Sequence, residues 1–400
     1  MITAAVNYTE SRYRTYPGEG YDGVVRVSFG GYYGTGAVLF DGRAILTVAH
    51  LFEGRTGSVS VTFETRNGMQ TVSASKFLQH PGYDAEGNND LAIVWLSSSA
   101  PAAADRYNLY RDSNEIGQTF TFSGYGKTGT GSTGITGGDT SSPIRLKASN
   151  QFDADAATLK SYLGSAMTWT PLTGTQLIAD LDSGSAANDA LGRLINSNGL
   201  GLGLDEGFIA PGDSGGPAFL NGQIAGVASY TTSLSRGSVN PDIDSSDNSS
   251  FGEIAAWQRV SAYQQWIDQS LRANYPGAPA KPEEVKTEVT EGNTGTSYTY
   301  FLLQFTDVRS NPEQNLSVDY VTRDGTALAG KDYITVSGTL VLYPDESQAV
   351  IPVEIIGDTT PESKEFFYLD AFNPVGGSFG GEVVKLTAVR MLVDDDGWLG

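Results

Sequence analysis

Short runs of β-branched and aromatic residues, separated by glycine-rich turns, dominate the first two thirds of this chain. Such runs occupy residues 24–29, 37–40, 59–63 and 91–96. Many short strands with turn residues between them are typical of all-β barrels and sandwiches. The 49 glycines among the 400 residues fit a chain that turns often. The pattern therefore predicts an all-β fold.

A proline-rich stretch at residues 273–282 interrupts this pattern and marks a domain boundary. Just before it, apolar residues recur at helical spacing and predict one helix over residues 257–271. After it, strand alternation returns, for example at Leu316, Val318 and Tyr320. We predict four segments: an N-terminal extension (1–20), a first β domain (21–272), a linker (273–282) and a second β domain of immunoglobulin-like size (283–397).

The charge balance excludes several classes of function. The chain has 25 basic and 46 acidic residues, a net charge of −21, so it repels the phosphate backbone of nucleic acids. It has no cysteine, and therefore no disulfide framework, cysteine-based zinc site or thiol nucleophile. No apolar run is long enough for a transmembrane helix, and the polar N-terminus does not read as a signal peptide. Metal cations are the natural counter-charge, above all in residues 281–400, where 8 basic and 20 acidic residues give −12.

The hexapeptide GDSGGP at residues 212–217 is the strongest local signal for chemistry. A serine flanked by glycines can occupy a tight, exposed turn, where the N–H groups of Gly212 and Ser214 can converge on an oxyanion. A serine hydroxyl is a weak nucleophile and needs a base, and the base needs an orienting carboxylate. Ser214 is therefore a candidate nucleophile.

Two histidines compete for the role of base. His50 ends an apolar strand, whereas His80 is followed by Pro81 and is interpreted as a turn residue. Asp90 and Asp84 are the corresponding carboxylate candidates, and only Asp90 directly precedes an apolar strand. We therefore predict that His50 and Asp90 assist the serine.

Three motifs, TVAH at 47–50, NDLA at 89–92 and GDSGGP at 212–217, resemble the signatures of the trypsin/chymotrypsin family, in that family's order. The resemblance covers roughly residues 24–271 and implies two β-barrels with the site in the cleft between them. It implies that Ser214 attacks the scissile carbonyl, that His50 transfers the proton, and that Asp90 orients His50. It implies an oxyanion hole formed by the N–H groups of Gly212 and Ser214.

Further residues follow from the same resemblance. Ser229, Tyr230 and Thr231 resemble the segment that pairs with the substrate backbone, and Phe208, Thr231 and Ala255 align with the specificity pocket. Because no carboxylate lies at the pocket base, we expect cleavage after small or medium apolar residues. The family pairs a freed N-terminus with the aspartate before the nucleophile, here Asp213, but the chain has no Ile-Val-Gly-Gly terminus. We expect an oxyanion hole that forms without proteolytic activation.

Residues 283–397 resemble a Calx-β domain through motifs at 325–333, 338–346, 351–358 and 393–397. This family implies a seven-stranded sandwich that binds Ca²⁺ at one end. Three consecutive carboxylates at residues 394–396 repel each other unless a cation neutralises them, and Ca²⁺ takes six to eight oxygen ligands. The resemblance names as ligands Glu291, Asp332, Asp358, Glu362, Glu365, Asp394, Asp395 and Asp396.

Two other acidic groups give weaker signals. Asp180, Asp182 and Asp189 faintly resemble a Ca²⁺ loop but depart from the EF-hand spacing, and Asp242, Asp244 and Asp247 are interpreted as a polar loop.

The sequence thus predicts a monomeric, extracellular or cell-surface serine endopeptidase that acts on proteins or peptides and carries a calcium-binding accessory domain. Two alternatives stay open: a catalytically silent, calcium-dependent adhesion or binding protein on a protease scaffold, and a serine esterase using the same triad.

Overall fold

The computed structural model describes residues 3–137 and 144–396. Its contacts divide the chain into two compact units. The first comprises Met1–Leu39 and Arg43–Gln264, and the second comprises Phe40–Gly42 and Gln265–Gly400. Each unit has a hydrophobic core of its own. Across the two described ranges, the helices are all too short or too polar to cross a membrane.

Short strands make up most of the first unit. They are β1 (Thr3–Ala4), β2 (Val24–Phe29), β3 (Tyr32–Val38), β4 (Ala44–Thr47), β5 (Ser60–Thr65), β6 (Gly68–Gln79), β7 (Ala92–Leu96), β8 (Thr119–Gly124), β9 (Gly129–Thr130), β10 (Gly134–Ile135), β11 (Leu146–Gln151), β12 (Ala154–Asp155), β13 (Gln176–Asp180), β14 (Gly207–Phe208), β15 (Pro217–Leu220), β16 (Gln223–Thr232) and β17 (Ile254–Arg259). The α-helices are α1 (Ala156–Leu163), α2 (Ala190–Ile195) and α3 (Val260–Arg272). Single 3-10 turns occur at Ser11–Tyr13, His50–Phe52, Gly164–Ala166 and Gly203–Asp205.

Six strands close a barrel in the order β2-β3-β4-β7-β6-β5. Strands β4 and β7 are apolar along their length and buried at every position. They pair antiparallel, with Thr47 at the end of β4 opposite Ala92 at the start of β7. This register decides where the site forms, because His50 and Asp90 lie just beyond these two adjacent strand ends.

A seven-stranded sheet, in the order β11-β8-β15-β16-β17-β13-β12, builds the second barrel. Its core is aromatic: the rings of Phe120 and Phe152 stack with centroids 3.9 Å apart, and Trp257 packs edge-on against Phe120. The buried Asn150 side chain on β11 donates a 2.8 Å hydrogen bond to the Asp180 carbonyl on β13. This bond links two strands that lie far apart in the sheet order, so the sheet curves round its core.

Residues near the N-terminus are integrated into the first unit. Strand β1 pairs antiparallel with β14 and parallel with β9. Farther along, the buried Arg145 guanidinium donates to the carboxylate of Asp22 and the hydroxyl of Thr15, each at 2.9 Å. These bonds satisfy a charge that burial alone would make costly.

The helix predicted over residues 257–271 begins three residues later, at Val260. Trp257 and Gln258 remain in β17, where they pair with both β13 and β16. The helical periodicity itself is present, since Val260, Ile267 and Leu271 are fully buried. The apolar pattern extended into the preceding strand because that strand is buried on both faces.

The second unit is a sandwich of seven strands. These are β18 (Glu288–Thr290), β19 (Thr296–Gln304), β20 (Leu316–Asp324), β21 (Ser337–Leu342), β22 (Gln348–Ile356), β23 (Glu365–Val375) and β24 (Lys385–Val393), preceded by a 3-10 turn at Pro282–Glu284. One sheet has the order β18-β24-β23-β20-β21, and β19 pairs with β22 in the other. Tyr333 stacks on Phe367 in the core at 4.3 Å. The predicted fold class, two barrels followed by a sandwich, is confirmed.

Candidate active site

A buried aspartate and a half-exposed histidine meet at the strand ends defined by β4 and β7. Asp90 is 2% exposed, and its Oδ2 lies 2.7 Å from His50 Nδ1. Its Oδ1 accepts a 2.9 Å bond from the His50 backbone N–H. The hydroxyl of Ser229 on β16 donates to Oδ2 at 2.6 Å. Three donors therefore hold the carboxylate, which fixes the imidazole with Nδ1 turned inward.

A chain of polar side chains supports this arrangement. Gln258 donates to the Ser229 hydroxyl at 3.2 Å, and the Tyr263 hydroxyl donates to Asn89 Oδ1 at 3.1 Å. Asn89 has a φ of +53°, a left-handed conformation that asparagine tolerates better than most residues. The resulting turn places Asp90 directly before the buried β7.

Ser214 lies in a turn held by both barrels. Its carbonyl accepts a 2.8 Å bond from the N–H of Thr35 on β3, and the next N–H, that of Gly215, donates to Ala228 on β16 at 2.8 Å. The Thr35 carbonyl in turn accepts from the Thr47 hydroxyl at 2.8 Å, three residues before His50. The half-buried serine and the histidine are thus positioned through a shared partner, Thr35.

Two backbone donors beside Ser214 remain free. Within residues 3–137 and 144–396, the N–H groups of Gly212 and Ser214 make no hydrogen bond, whereas those of Asp213 and Gly215 do. Gly212 has a φ of +99°, and a Cβ there would meet Gly126 Cα at 2.9 Å. Glycine is therefore required for this turn, and the turn leaves two donors for an anionic oxygen.

Asp213 points away from Ser214 into the interior. It is 1% exposed and accepts hydrogen bonds from the N–H groups of Gly126 at 2.7 Å and Ala210 at 3.0 Å. A Cβ on Gly124 or Gly126 would come within 2.2 and 2.4 Å of its carboxylate oxygens. Burial raises the pKa of Asp213, and these backbone donors oppose that shift.

A cleft of about 650 Å³ opens beside His50 and Asp90. Ser229, Tyr230 and Thr231 line it. The ring of Tyr230 packs edge-on against Trp169, and its hydroxyl donates to Gln176 at 2.7 Å.

A second group of acidic side chains lies at the ends of strands in the sandwich. One carboxylate oxygen from each of Glu291, Asp332 and Glu362 falls within 4.8 Å of the other two. Burial, together with the carboxylates of Asp358 and Glu362, raises the pKa of Glu291 to about 7. Asp332 is 1% exposed, and its Oδ1 has no hydrogen bond in the described part of the chain, although Lys331 Nζ lies 3.4 Å away.

Two family models match separate parts of the chain. The model described as Trypsin matches residues 12–195, and the model described as Calx-beta domain matches residues 297–396. The chain contains a trypsin domain and a Calx-beta domain.

Individual relatives match one domain or the other. Cationic trypsin-3 of Rattus norvegicus is 26% identical over 255 residues, 61% of this chain and 82% of that protein. The sodium/calcium exchanger Calx of Drosophila melanogaster is 39% identical over 80 residues, 20% of this chain but only 8% of that protein. Among solved structures, neuropsin, a serine protease expressed in the limbic system of mouse brain, matches 65% of this chain and 98% of its own at 17% identity and a TM-score of 0.46.

In the trypsin domain, the predicted residues have different surroundings. His50 and Asp90 are in direct contact, and Ser214 is linked to them through backbone bonds. Phe208 and Ala255 lie in the hydrophobic core, both fully buried, so neither side chain reaches the open cleft.

His80 and Asp84, the alternative candidates for base and carboxylate, make other contacts. His80 accepts the Gly82 N–H at Nδ1 and packs edge-on against Tyr263. Asp84 accepts the N–H groups of Glu86 and Asn88 within its own turn. Both therefore stabilise local turns.

Sequence reasoning missed the side-chain contacts of Ser229 and Gln258. The prediction for Ser229 concerns its backbone beside the substrate, and the structure adds that its hydroxyl donates to Asp90. Gln258 was not considered, since it is one polar residue in a buried strand. That burial was the available signal, because a buried polar side chain must find a partner.

In the Calx-beta domain, the remaining predicted ligands surround the central three. Asp394 Oδ2 accepts the Glu362 N–H at 2.9 Å. Asp395 accepts the Gly292 N–H at 3.0 Å, and Asp396 accepts the side-chain amide of Asn293. Asp358 caps the turn at Thr360, and burial with the nearby Asp332 and Glu362 carboxylates raises the pKa of Glu365.

Proposed function

We propose that the trypsin domain is a serine endopeptidase that uses His50, Asp90 and Ser214. The observation that carries the proposal is the His50–Asp90 pair, held by Ser229, together with a glycine-flanked serine that is tied through Thr35 to the strand before His50 and has two free N–H groups. This set matches the parts that acyl transfer needs: a nucleophile, an oriented base and an oxyanion hole.

The roles follow from which atoms are engaged. Asp90 holds Nδ1 of His50, so Nε2 is the nitrogen left to take the Ser214 proton. Ser214 Oγ then bonds to the scissile carbonyl carbon, and the N–H groups of Gly212 and Ser214 stabilise the negative oxygen. His50 gives its proton to the leaving amine, which leaves an acyl-enzyme. Water, activated by His50 in the same way, releases the acid and restores Ser214.

We further propose that the oxyanion hole forms in the intact chain. Asp213 is anchored by the N–H groups of Gly126 and Ala210, and this supports the turn that presents Ser214. A form cleaved to a new internal N-terminus should be no more active than the intact chain. A large rise in activity on such cleavage would contradict this.

Covalent labelling tests the enzyme proposal. A fluorophosphonate probe should label the wild type, and labelling should vanish in Ser214→Ala and His50→Ala. Ser161→Ala, an exposed serine on α1, is the matched control and should label normally. A wild type that is folded but unlabelled would favour a catalytically silent binding protein, and turnover of esters without amides would identify an esterase.

The substrate preference is proposed on Thr231, which lines the cleft, and on the resemblance, which places no carboxylate at the pocket base. The fully buried Phe208 and Ala255 do not line that cleft, although Ala255 lies opposite Thr231 on the neighbouring strand. We propose proteins or peptides as substrates, cleaved after small or medium apolar residues. A peptide-library profile dominated by arginine or lysine before the cut would contradict it.

We propose that the Calx-beta domain binds Ca²⁺ through Glu291, Asp332 and Glu362, with Asp358, Glu365 and Asp394–396 around them. The donor set fits the ion, since it consists of carboxylate oxygens and includes a buried Asp332 oxygen without a hydrogen bond. The ion would neutralise carboxylates that otherwise repel each other. We also propose an extracellular or cell-surface location and a monomeric state, which cell fractionation and sedimentation would test.

A further inference from the structure

A second group of buried carboxylates lies in the trypsin domain, apart from the catalytic residues. Asp180 ends β13, Asp182 follows it, and Asp189 precedes α2. All three are at least nine-tenths buried, at 2%, 7% and 5% exposure. One oxygen from each lies within 4.8 Å of the other two. The sequence spacing had argued against a cation site here, but the fold brings the three together.

Two of these aspartates have backbone partners that fix their orientation. Asp180 Oδ2 accepts the Leu191 N–H at 2.8 Å, and Asp189 Oδ1 accepts the Gly192 N–H at 2.6 Å as the cap of α2. Each therefore turns toward the start of the same short helix, and each retains oxygen lone pairs for another partner.

Asp182 supplies the observation that points to a ligand. In the described part of the chain, its carboxylate accepts no hydrogen bond, and its Oδ1 is fully buried. Its backbone N–H donates to Glu206 at 2.7 Å, so the residue is held in place while its charged end faces Asp180 and Asp189. Buried carboxylates without partners are costly and rarely left so.

No basic side chain neutralises the group within the described residues. Arg193 donates its guanidinium to the carbonyls of Ala187 and Asn240, and Lys160 donates to the carbonyl of Met167. Two more acids, Asp153 and Glu206, are close enough to add repulsion. Burial and this repulsion raise the pKa of Asp182 to about 9.

We propose that Asp180, Asp182 and Asp189 form a calcium site in the trypsin domain. The ligands are all oxygens, which suits a hard cation. One oxygen from each lies within 4.8 Å of the other two, so a single Ca²⁺ at roughly 2.4 Å from each oxygen can bridge them. The ion would join the end of β13 to α2 and fix the loop that leads through Glu206 to Phe208.

Calorimetric titration with Ca²⁺ tests this in the full chain. Because the Calx-beta domain has its own acidic group, the background variant is Glu291→Gln with Glu362→Gln. We expect this background, stripped with a chelator, still to take up Ca²⁺. Adding Asp182→Asn should weaken that uptake on the order of tenfold or more, because it removes a charged ligand without changing size. Asp205→Asn, an exposed acid beside Glu206, is the matched control and should bind as the background does.

Thermal unfolding provides a second readout, because Asp182→Asn should have opposite effects on stability relative to the background without and with Ca²⁺. Without Ca²⁺, Asp182→Asn should unfold at an equal or higher temperature than the background, since a buried repulsion is removed. With Ca²⁺, only the background should gain stability. Asp189→Asn is the reserve variant, because asparagine can still cap α2. A folded background that takes up no Ca²⁺, or uptake unchanged in both aspartate variants, would overturn the proposal and leave protonation as the way this group is neutralised.

Discussion

Asp90 of the trypsin domain and the acidic group of the Calx-beta domain are surrounded by opposite kinds of partner. In the trypsin domain, Asp90 receives one backbone N–H, one imidazole nitrogen and one hydroxyl, so the protein itself supplies its partners. In the Calx-beta domain, the nearest neighbours of Glu291 and Asp332 include other carboxylates. The carboxylate of Asp90 thus has its partners within the fold, whereas in the second arrangement a single lysine, Lys331, faces several carboxylates.

Under the proposed functions, this difference separates a residue that assists catalysis from residues that bind an ion. A catalytic carboxylate must fix the orientation of its partner before substrate arrives, so its hydrogen bonds are made within the fold. A metal-binding carboxylate must keep lone pairs free, so the fold places it among groups that cannot donate to it. The partners of a carboxylate therefore indicate whether it orients a base or binds an ion. The substitutions that follow change those partners.

The largest expected effect comes from Asp90→Asn. The amide has nearly the same shape, but its NH₂ group can face His50 Nδ1 and favour the wrong tautomer. We expect kcat/KM to fall about 10⁴-fold, with little change in thermal stability. Steady-state kinetics on a peptide substrate would show it. An Asp90→Asn variant with near-normal turnover would show that the carboxylate does not orient the base.

Ser229→Ala tests the outer partner of the same carboxylate. Asp90 would lose a 2.6 Å hydrogen bond but keep both contacts to His50. A bond to a charged group is worth about 1.5–3 kcal/mol, which predicts about a tenfold to hundredfold loss, expressed in kcat and not in KM. Ser149→Ala, in the same domain on β11, is a matched control. A rise in KM alone would instead assign Ser229 to substrate binding, as the sequence had suggested.

Sequence reasoning could predict the fold, and could propose a catalytic set, because the signals for both are local. Residues 24–29 form β2, residues 92–96 of the run 91–96 form β7, and the buried strand before His50 is β4. The hexapeptide around Ser214 is recognisable from its own glycines, although Thr35 and Ala228 also hold its turn. The start of α3 could not be predicted, because Trp257 and Gln258 satisfy the helical pattern while pairing in a buried strand.

The acidic group at Asp180, Asp182 and Asp189 could not be predicted with certainty from local patterns, because only the tertiary structure brings its members together. These residues come together through the register of β13 and the position of α2, neither of which a spacing rule contains. The partner of Ser229 was likewise hidden, since Asp90 lies 139 residues away in the chain. Contacts made by tertiary structure alone are invisible to local patterns.

Removing Ca²⁺ should affect the unsatisfied carboxylates of the Calx-beta domain. When Ca²⁺ exceeds its dissociation constant 100-fold, binding stabilises the folded domain by about 2.7 kcal/mol. We expect chelation to lower the unfolding temperature of this domain, and Glu362→Gln to remove most of that response. Scanning calorimetry of the full chain would measure it. Glu313→Gln, an exposed acid of the same domain, should respond as the wild type, and an unchanged response in Glu362→Gln would contradict the site.

The carboxylate of Glu253 is intermediate between Asp90, which has donors from the protein, and the acidic group of the Calx-beta domain. Its Oε1 accepts the N–H groups of Asn248 and Ser250, while its buried Oε2 has no hydrogen bond among the described residues. Burial raises the pKa of Glu253 to about 7. The folded state therefore favours the protonated form, and the stability this gives is complete below the ordinary glutamate pKa and is lost as the pH rises through about 7.

Glu253→Gln should remove that loss. Measured in chelator, its unfolding temperature should exceed that of the wild type at pH 8 by a few degrees, and the difference should shrink toward pH 5. Asp112→Asn, an exposed acid of the same domain, should show no such trend. A difference that is constant from pH 5 to pH 8 would mean that the carboxyl group does not titrate in this range.

Replacing Lys331 should have the smallest effect on Ca²⁺ binding and stability. It also distinguishes most sharply between carboxylates that the protein itself satisfies and carboxylates that need an ion. Its ammonium group pairs with Glu362 and lies 3.4 Å from Asp332 Oδ1, so it partly supplies the charge that the Calx-beta carboxylates lack. The pairing with Glu362 raises the pKa of Lys331, so it stays charged at neutral pH. Because the side chain is 52% exposed, the pair contributes little, at most about 1 kcal/mol.

Lys331→Met should therefore strengthen Ca²⁺ binding by at most about fivefold while slightly lowering stability in chelator. The two changes have opposite signs because the lysine competes with the ion and substitutes for it when the ion is absent. Lys364→Met, which removes an exposed pair with Glu288 in the same domain, should leave Ca²⁺ affinity unchanged. Weaker Ca²⁺ binding in Lys331→Met would mean that the lysine orders the site, and that the carboxylates are positioned by the protein much as Asp90 is.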